Sequence, residues 1–197
     1  MRIGLTGGIG SGKSTVAAAL VEFGGAVLVD TDAISRALTL PGGAAMPTIE
    51  ARFGPAFVTA EGALDRAAMR ELAFRDPQAK RALEAILHPM IGAETARQAG
   101  LAAAGQRIVF DVPLLVESGR WRAQVDRVLV VDCREDTQVA RVMARSGLDE
   151  AAVRAIVAQQ ATRRERRAAA DAVIYNDGLS LAQLREEVRH LLTRPMF

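Results

Sequence analysis

The chain has 197 residues, half of them apolar, and a formal charge of only +2. That is the size of one compact domain with a sizeable core, and the weak charge argues against a nucleic-acid binder. No apolar run approaches membrane-spanning length, no signal peptide precedes the opening strand, and Cys133 is the only cysteine, so a reducing, cytoplasmic setting is expected.

Arg2 to Thr6 reads as a short strand. It runs into Gly7-Gly8-Ile9-Gly10-Ser11-Gly12-Lys13-Ser14-Thr15, which matches the phosphate-binding pattern G-x-x-x-x-G-K-[ST]. Val16, Leu20 and Phe23 then mark one face of a helix that Gly24-Gly25 stops. Strand, glycine loop and helix together form a cradle for phosphate. Glycines let backbone N–H groups turn inward, and the helix N-terminus adds unpaired donors and partial positive charge. Lys13, one of two lysines in the chain, is expected to reach the β- and γ-phosphates, and the Ser14 hydroxyl to meet Mg²⁺. The bland alternative is a glycine turn without a ligand.

Ala26 to Asp30 reads as a buried second strand, followed by Thr31-Asp32 and a helix from Ala33 to Leu38. Asp32 has two readings: a carboxylate that accepts a hydroxyl proton, orients the nucleophile or holds Mg²⁺ through water, or a helix N-cap. Asp30 is an alternative for the same role.

From about Ala44 to Ala104 the pattern is mostly helical. Ile49 and Phe53 give one helix, Met69, Leu72 and Ala73 a second, and Leu83, Ile86 and Leu87 a third opened by Asp76-Pro77. His88-Pro89 is expected to interrupt this third helix, with a new segment from Met90; His88 alone reads first as a core histidine. The insertion is too long for a simple crossover and suggests a substrate-binding region.

Arg107 to Asp111, Arg127 to Asp132 and Ala172 to Tyr175 are three further strands. Asp111 reads either as a contact to the Mg²⁺ shell or as a plain strand-end cap. Val112-Pro113-Leu114-Leu115-Val116-Glu117 reads as an apolar loop closed by an acid. Arg141 and Arg145, four apart on one helix face, either reach over the triphosphate or form a solvated face paired with Glu135 or Asp136. Arg163-Arg164-Glu165-Arg166-Arg167 reads as a solvated helix face, with phosphate capture by Arg163 or a neighbour the alternative. Ser180 and Gln183 form a capping box for a last helix with the stripe Leu184, Val188, Leu191 and Leu192. Five strands alternating with helices predict an α/β fold with a parallel, doubly wound sheet.

Several of these stretches, in order, resemble the dephospho-coenzyme A kinase family. They are Gly4 to Ser14, Asp30-Thr31-Asp32-Ala33-Ile34-Ser35-Arg36, Leu87-His88-Pro89-Met90-Ile91, Asp111 to Glu117, Gln160-Ala161-Thr162-Arg163 and Ala170 to Asn176. The departure is Thr31, where the family usually has alanine. The resemblance implies a single P-loop kinase domain over 1–197: a core of about 1–32, 106–134 and 170–197, a helical CoA-binding region of about 33–105, and a lid of about 135–169. It implies transfer of the ATP γ-phosphate to the ribose 3′-hydroxyl of dephospho-CoA, the last step of coenzyme A biosynthesis, with Mg²⁺. On that basis Asp32, Lys13 and Arg141 carry the chemistry. Gly8, Ile9, Gly10, Ser11, Gly12, Lys13, Ser14, Thr15, Arg141 and Asn176 meet the nucleotide, with Asn176 near the adenine. Asp32, His88, Leu114, Leu115 and Glu117 face the acceptor, and Ser14 and Asp111 face the metal. A monomer with small-molecule partners only, no nucleic acid and no membrane, is expected.

Rival readings make different demands. A nucleoside monophosphate kinase needs an arginine cluster where Pro113-Leu114-Leu115 stands, and a shikimate-type kinase needs a different acceptor. A GTPase needs an Asn-Lys-x-Asp run, which the two lysines cannot supply.

Overall fold

Short Val-, Ile- and Leu-rich runs ending in Asp, Tyr or Gly become the strands of one sheet. In the computed structural model, which describes residues 1–197, these are β1 (Arg2–Gly7), β2 (Val27–Asp30), β3 (Ile108–Asp111), β4 (Arg127–Asp132) and β5 (Ala172–Tyr175). Their order is β2-β3-β1-β4-β5, and the sheet is parallel, as the sequence pattern predicts. The connection leaving β1 crosses the sheet in one direction and the connection leaving β3 in the other. The C-terminal ends of these two neighbours therefore frame the crevice where an open α/β sheet takes its ligand. In the register, Leu5 of β1 lies beside Asp111 of β3.

Chain contacts divide into two compact units, Met1–Val29 with Leu101–Phe197, and Asp30–Gly100. In the first, α1 (Lys13–Gly24) and α10 (Leu181–Leu192) cover one sheet face, burying Ile3, Leu5, Val109, Leu129 and Val131 against Val16, Leu20, Leu184 and Val188. The opposite face, with Gly4 and Phe110, takes Leu115 of α6 (Leu115–Ser118), Val125 and Trp121. Val128 to Val131 of β4 are all fully buried, which two covered faces require. The same unit holds α7 (Glu135–Ser146), α8 (Glu150–Ala158) and α9 (Arg163–Ala168). The strand β2 departs from expectation: it lies at the sheet edge and is only partly buried.

The second unit is helical: α2 (Thr31–Leu38), α3 (Met46–Phe53), α4 (Arg66–Arg75) and α5 (Pro77–Ala99), packed around Met46, Ile49, Leu64 and Met69. Asp65 and Asp76 cap α4 and α5. The expected break at His88-Pro89 does not occur, because α5 runs unbroken through it. Proline removes one N–H and crowds the carbonyl four residues back. Here Pro89 and Ala85 are both exposed, while Leu83, Ile86, Leu87 and Met90 pack on the core. Packing outweighs the proline penalty. No helix is long and apolar enough to cross a membrane.

Candidate active site

The loop after β1 folds back on itself through Ser11 N–H donating to the Gly8 carbonyl at 3.0 Å. Gly12 then enters α1 at φ 94°, a conformation that a side chain disfavours, and offers no capping side chain. The first turn of α1 holds no acid. Its leading amides and dipole are thus left for an external anion. At the first two helical positions stand Lys13 and Ser14. Lys13 Nζ makes an ion pair with Asp111 at the end of β3, with both side chains largely buried. The Ser14 side chain is exposed.

Residues far along the chain hold this loop in shape. Asn176, buried just after β5, donates from Nδ2 to the Ser11 carbonyl at 2.7 Å, and its own N–H donates to Asp132 O. Gly8 has no room for a side chain: a Cβ there would lie 2.6 Å from Gln138 Oε1 and 2.8 Å from a guanidinium nitrogen of Arg166. The N–H of Ile9 donates to Gln160 Oε1 at 2.9 Å, and its side chain packs on Val139, Val142 and Val153. Arg141 reaches the Gly10 carbonyl with a long 3.4 Å contact. It does not pair with Glu135 or Asp136; Asp136 pairs with Arg154 instead.

The Gly12→Ala variant is expected to lose about 2–4 kcal/mol of stability, from the left-handed backbone and the broken amide contact. A Cβ at this position would collide with Asn176 Nδ2. Thermal denaturation measures the loss; an unchanged melting temperature would mean that the loop can shift without cost.

The basic run departs from the expected solvated face. Thr162 and Glu165 form a reciprocal capping box that starts α9. Arg163 donates twice to the buried Asp132 carboxylate at the end of β4, at 2.9 and 2.8 Å, which raises the Arg163 pKa. Arg166 is 3% exposed and donates to the Ala161 carbonyl. Burial lowers its pKa, and the carboxylates of Glu117 and Asp132 oppose that shift. Of the run's four arginines, Arg164 and Arg167 are exposed.

After Asn176, Asp177 accepts from Thr137 Oγ1 at 2.6 Å, from Tyr175 Oη at 2.9 Å and from Arg134. These bonds, led by Thr137, hold its carboxyl down from the usual 3.8 to about 2. A depressed folded pKa adds stability that is present above the unfolded value and lost as pH falls through the folded one. An Asp177→Asn variant is therefore expected to be less stable than the parent at pH 7, with the gap closing between about pH 4 and pH 2. Chemical denaturation at stepped pH checks this; a gap independent of pH would contradict it.

The remaining sequence-selected residues fall into both units. Leu114 is half exposed, whereas Leu115 is 2% exposed and fills the space above Gly4. The stretch read as a loop to Glu117 contains the short helix α6. Glu117 is exposed, and its Oε1 accepts from Ala161 N–H at 2.7 Å. His88 and Asp32 belong to the helical unit. His88 is exposed on α5, so the core-histidine reading fails. The cap of α2 is Asp30, whose Oδ1 accepts from Ala33 N–H at 2.8 Å. Asp32, in the first turn, is exposed and does not serve as the cap. The structure thus joins Lys13 to Asp111, Asn176 to Ser11, and Arg141 to Gly10.

Sequence reading missed Gln138, Asp132 and Asp177, and it set the buried Arg166 on a solvated face. Two signals were available: the fourth strand also ends in Asp, and Thr162-Arg163-Arg164-Glu165 carries the capping-box signature.

The family model for dephospho-CoA kinase matches residues 1–182. A dephospho-CoA kinase of Bordetella pertussis is 59% identical over 194 residues, spanning 98% of this chain and 90% of that protein. One from Burkholderia thailandensis is 58% identical over 192 residues, spanning 98% of this chain and 94% of that one. Among solved structures, a dephospho-CoA kinase from Campylobacter jejuni superposes with a TM-score of 0.72 at 26% identity, over 97% of this chain and 94% of that one. Near-end-to-end likeness, on a parallel sheet whose first strand delivers an uncapped phosphate loop, places this chain in the dephospho-CoA kinase family.

Proposed function

We propose that this chain transfers the γ-phosphate of ATP to the ribose 3′-hydroxyl of dephospho-CoA, completing coenzyme A. The observation that carries the reading is the 59% identity to a dephospho-CoA kinase across 98% of the chain. The apolar Pro113-Leu114-Leu115 stretch also disfavours a phosphate acceptor, which would call for arginines. The shikimate-type alternative is supported by fold likeness alone.

In this reading the amides of the phosphate loop and the start of α1 cradle the triphosphate. Lys13 neutralises charge on the β- and γ-phosphates, and Arg141 adds a second cation as charge spreads in the transition state. The acceptor hydroxyl oxygen attacks the γ-phosphorus as the bond to the β–γ bridging oxygen breaks. Asp32 receives the hydroxyl proton, or holds that proton's donor in line, and ADP leaves. Asp30 already caps α2 through one carboxylate oxygen, which favours Asp32 for this task.

The donor set fits Mg²⁺. The Ser14 hydroxyl and the Asp111 carboxylate are hard oxygens on neighbouring strand and helix ends, few enough to leave positions for water and phosphate. When bound, the ion would neutralise phosphate charge. His88, Leu114 and Glu117 face the acceptor, whereas Leu115, buried above Gly4, supports that stretch from the core instead of meeting the acceptor; Asn176 lies near the adenine, and residues 135–169 act as a lid that keeps water from the γ-phosphate. A monomeric, cytoplasmic enzyme belongs to the same reading, and a single buried cysteine agrees with that compartment.

A coupled ADP-release assay tests the acceptor. Release dependent on dephospho-CoA, and absent with AMP, CMP or shikimate, is the expected result. Equal release with any of the other three would overturn it.

A further inference from the structure

We propose that the elbow Gln160-Ala161, between α8 and α9, is a positioning device that fastens the phosphate loop to α6, with Gln160 the residue acting on the loop. This deepens the functional reading above and rests on it: the loop holds ATP, and the stretch to Glu117 meets the acceptor.

Three bonds converge on these two residues. The Gln160 side-chain carbonyl accepts from Ile9 N–H at 2.9 Å. The next backbone N–H, of Ala161, donates to Glu117 Oε1 at 2.7 Å. The Ala161 carbonyl accepts from the buried Arg166 guanidinium, which lies against Gly8 of the same loop. One short stretch is therefore gripped by a carboxylate on one side and a guanidinium on the other. Charge-assisted bonds of this kind are the stronger ones.

The elbow is fixed at both ends. Gln160 N–H closes the end of α8 on the Val157 carbonyl at 3.1 Å, and Thr162 caps α9. Its position is thus set by two helices, and it transmits that position to Ile9. The consequence lies in the direction of a loop amide. With the Ile9 N–H turned outward to Gln160, the curl of the backbone through Gly10 to Gly12 is defined. Freed from Gln160, that amide competes for other acceptors and the curl loosens. Displacing Glu117 moves the same elbow, so the acceptor-side helix and the donor loop share one support.

The test reads nucleotide affinity without any acceptor. Gln160→Met keeps the side-chain length but removes the acceptor, Gln160→Glu keeps an acceptor oxygen, and Glu117→Ala cuts the tie to α6. Binding of the non-hydrolysable analogue AMP-PNP is measured by titration calorimetry, and kcat and KM for ATP by ADP release. For Gln160→Met, we expect the dissociation constant and the KM for ATP to rise together by about 5- to 10-fold, with a smaller change in kcat. Gln160→Glu should restore most of the affinity. Glu117→Ala should weaken AMP-PNP binding about threefold although no phosphate contact is removed, and combined with Gln160→Met should add little further.

Wild-type affinity in Gln160→Met, equal losses in Gln160→Met and Gln160→Glu, or effects of the two sites that simply multiply would each overturn the proposal. Should Gln160→Met fail to fold, the AMP-PNP affinity of Glu117→Ala decides alone: an unchanged value overturns the shared support. Failure of the acceptor assignment looks different. Wild-type ADP release would then ignore dephospho-CoA while the AMP-PNP titrations kept their pattern.

Discussion

Replacing Lys13 with alanine is expected to slow phosphoryl transfer by about 10²–10³-fold, the scale of removing one electrostatic donor at a developing charge. The same change should destabilise the fold by about 3 kcal/mol, because it takes the ammonium from a carboxylate that is nearly buried. The two side chains are only 16% and 9% exposed, so solvent screens the pair weakly. These effects separate in the double variant Lys13→Met with Asp111→Asn. Neutralising both partners should return the melting temperature toward that of the parent, while turnover stays low, since the proposed mechanism then loses both its phosphate and its metal contact. Thermal denaturation beside steady-state kinetics checks both halves. A Lys13→Ala enzyme with near-normal kcat/KM would contradict the loop assignment.

For Asp32→Asn the expected result is a fall in kcat of about 10²-fold or more with the KM for ATP unchanged. Asparagine is nearly isosteric and keeps an oxygen, but it cannot take a proton at neutral pH. Asp30, two residues earlier, supplies the control. Its carboxylate is engaged by Ala33 N–H, and an asparagine there still accepts that bond. Asp30→Asn should therefore turn over near normally, and Asp30→Ala should lose about 1 kcal/mol of stability from the missing cap. Near-normal turnover in Asp32→Asn would remove this residue from the chemistry. An equal fall in Asp30→Asn would show that the segment matters as a whole.

Sequence periodicity revealed most of the fold. The five strands, the Asp76 cap and the Ser180–Gln183 box are local features, each decided within a few residues, and they stand where the pattern puts them. The phosphate loop was legible for the same reason. What escaped depends on tertiary partners. Pro89 looked like a helix stop because proline's penalty is local, whereas the packing that overrides it comes from Met46, Ile49 and Met69, distant in sequence. The run from Arg163 to Arg167 looked solvated because its buried counterion, Asp132, lies 31 residues earlier. Which of Asp30 and Asp32 caps α2 turns on a shift of where the helix begins, and spacing alone does not resolve that.

The apolar anchorage of Ile9 among Val139, Val142 and Val153 has a thermodynamic consequence. Ordering a backbone residue costs about 1–2 kcal/mol, and here that entropy is lost when the protein folds, not when nucleotide arrives. The loop meets its ligand preorganised. Binding free energy that would otherwise go into shaping a mobile segment remains for contacts that tighten in the transition state, where they accelerate the reaction instead of merely holding ATP.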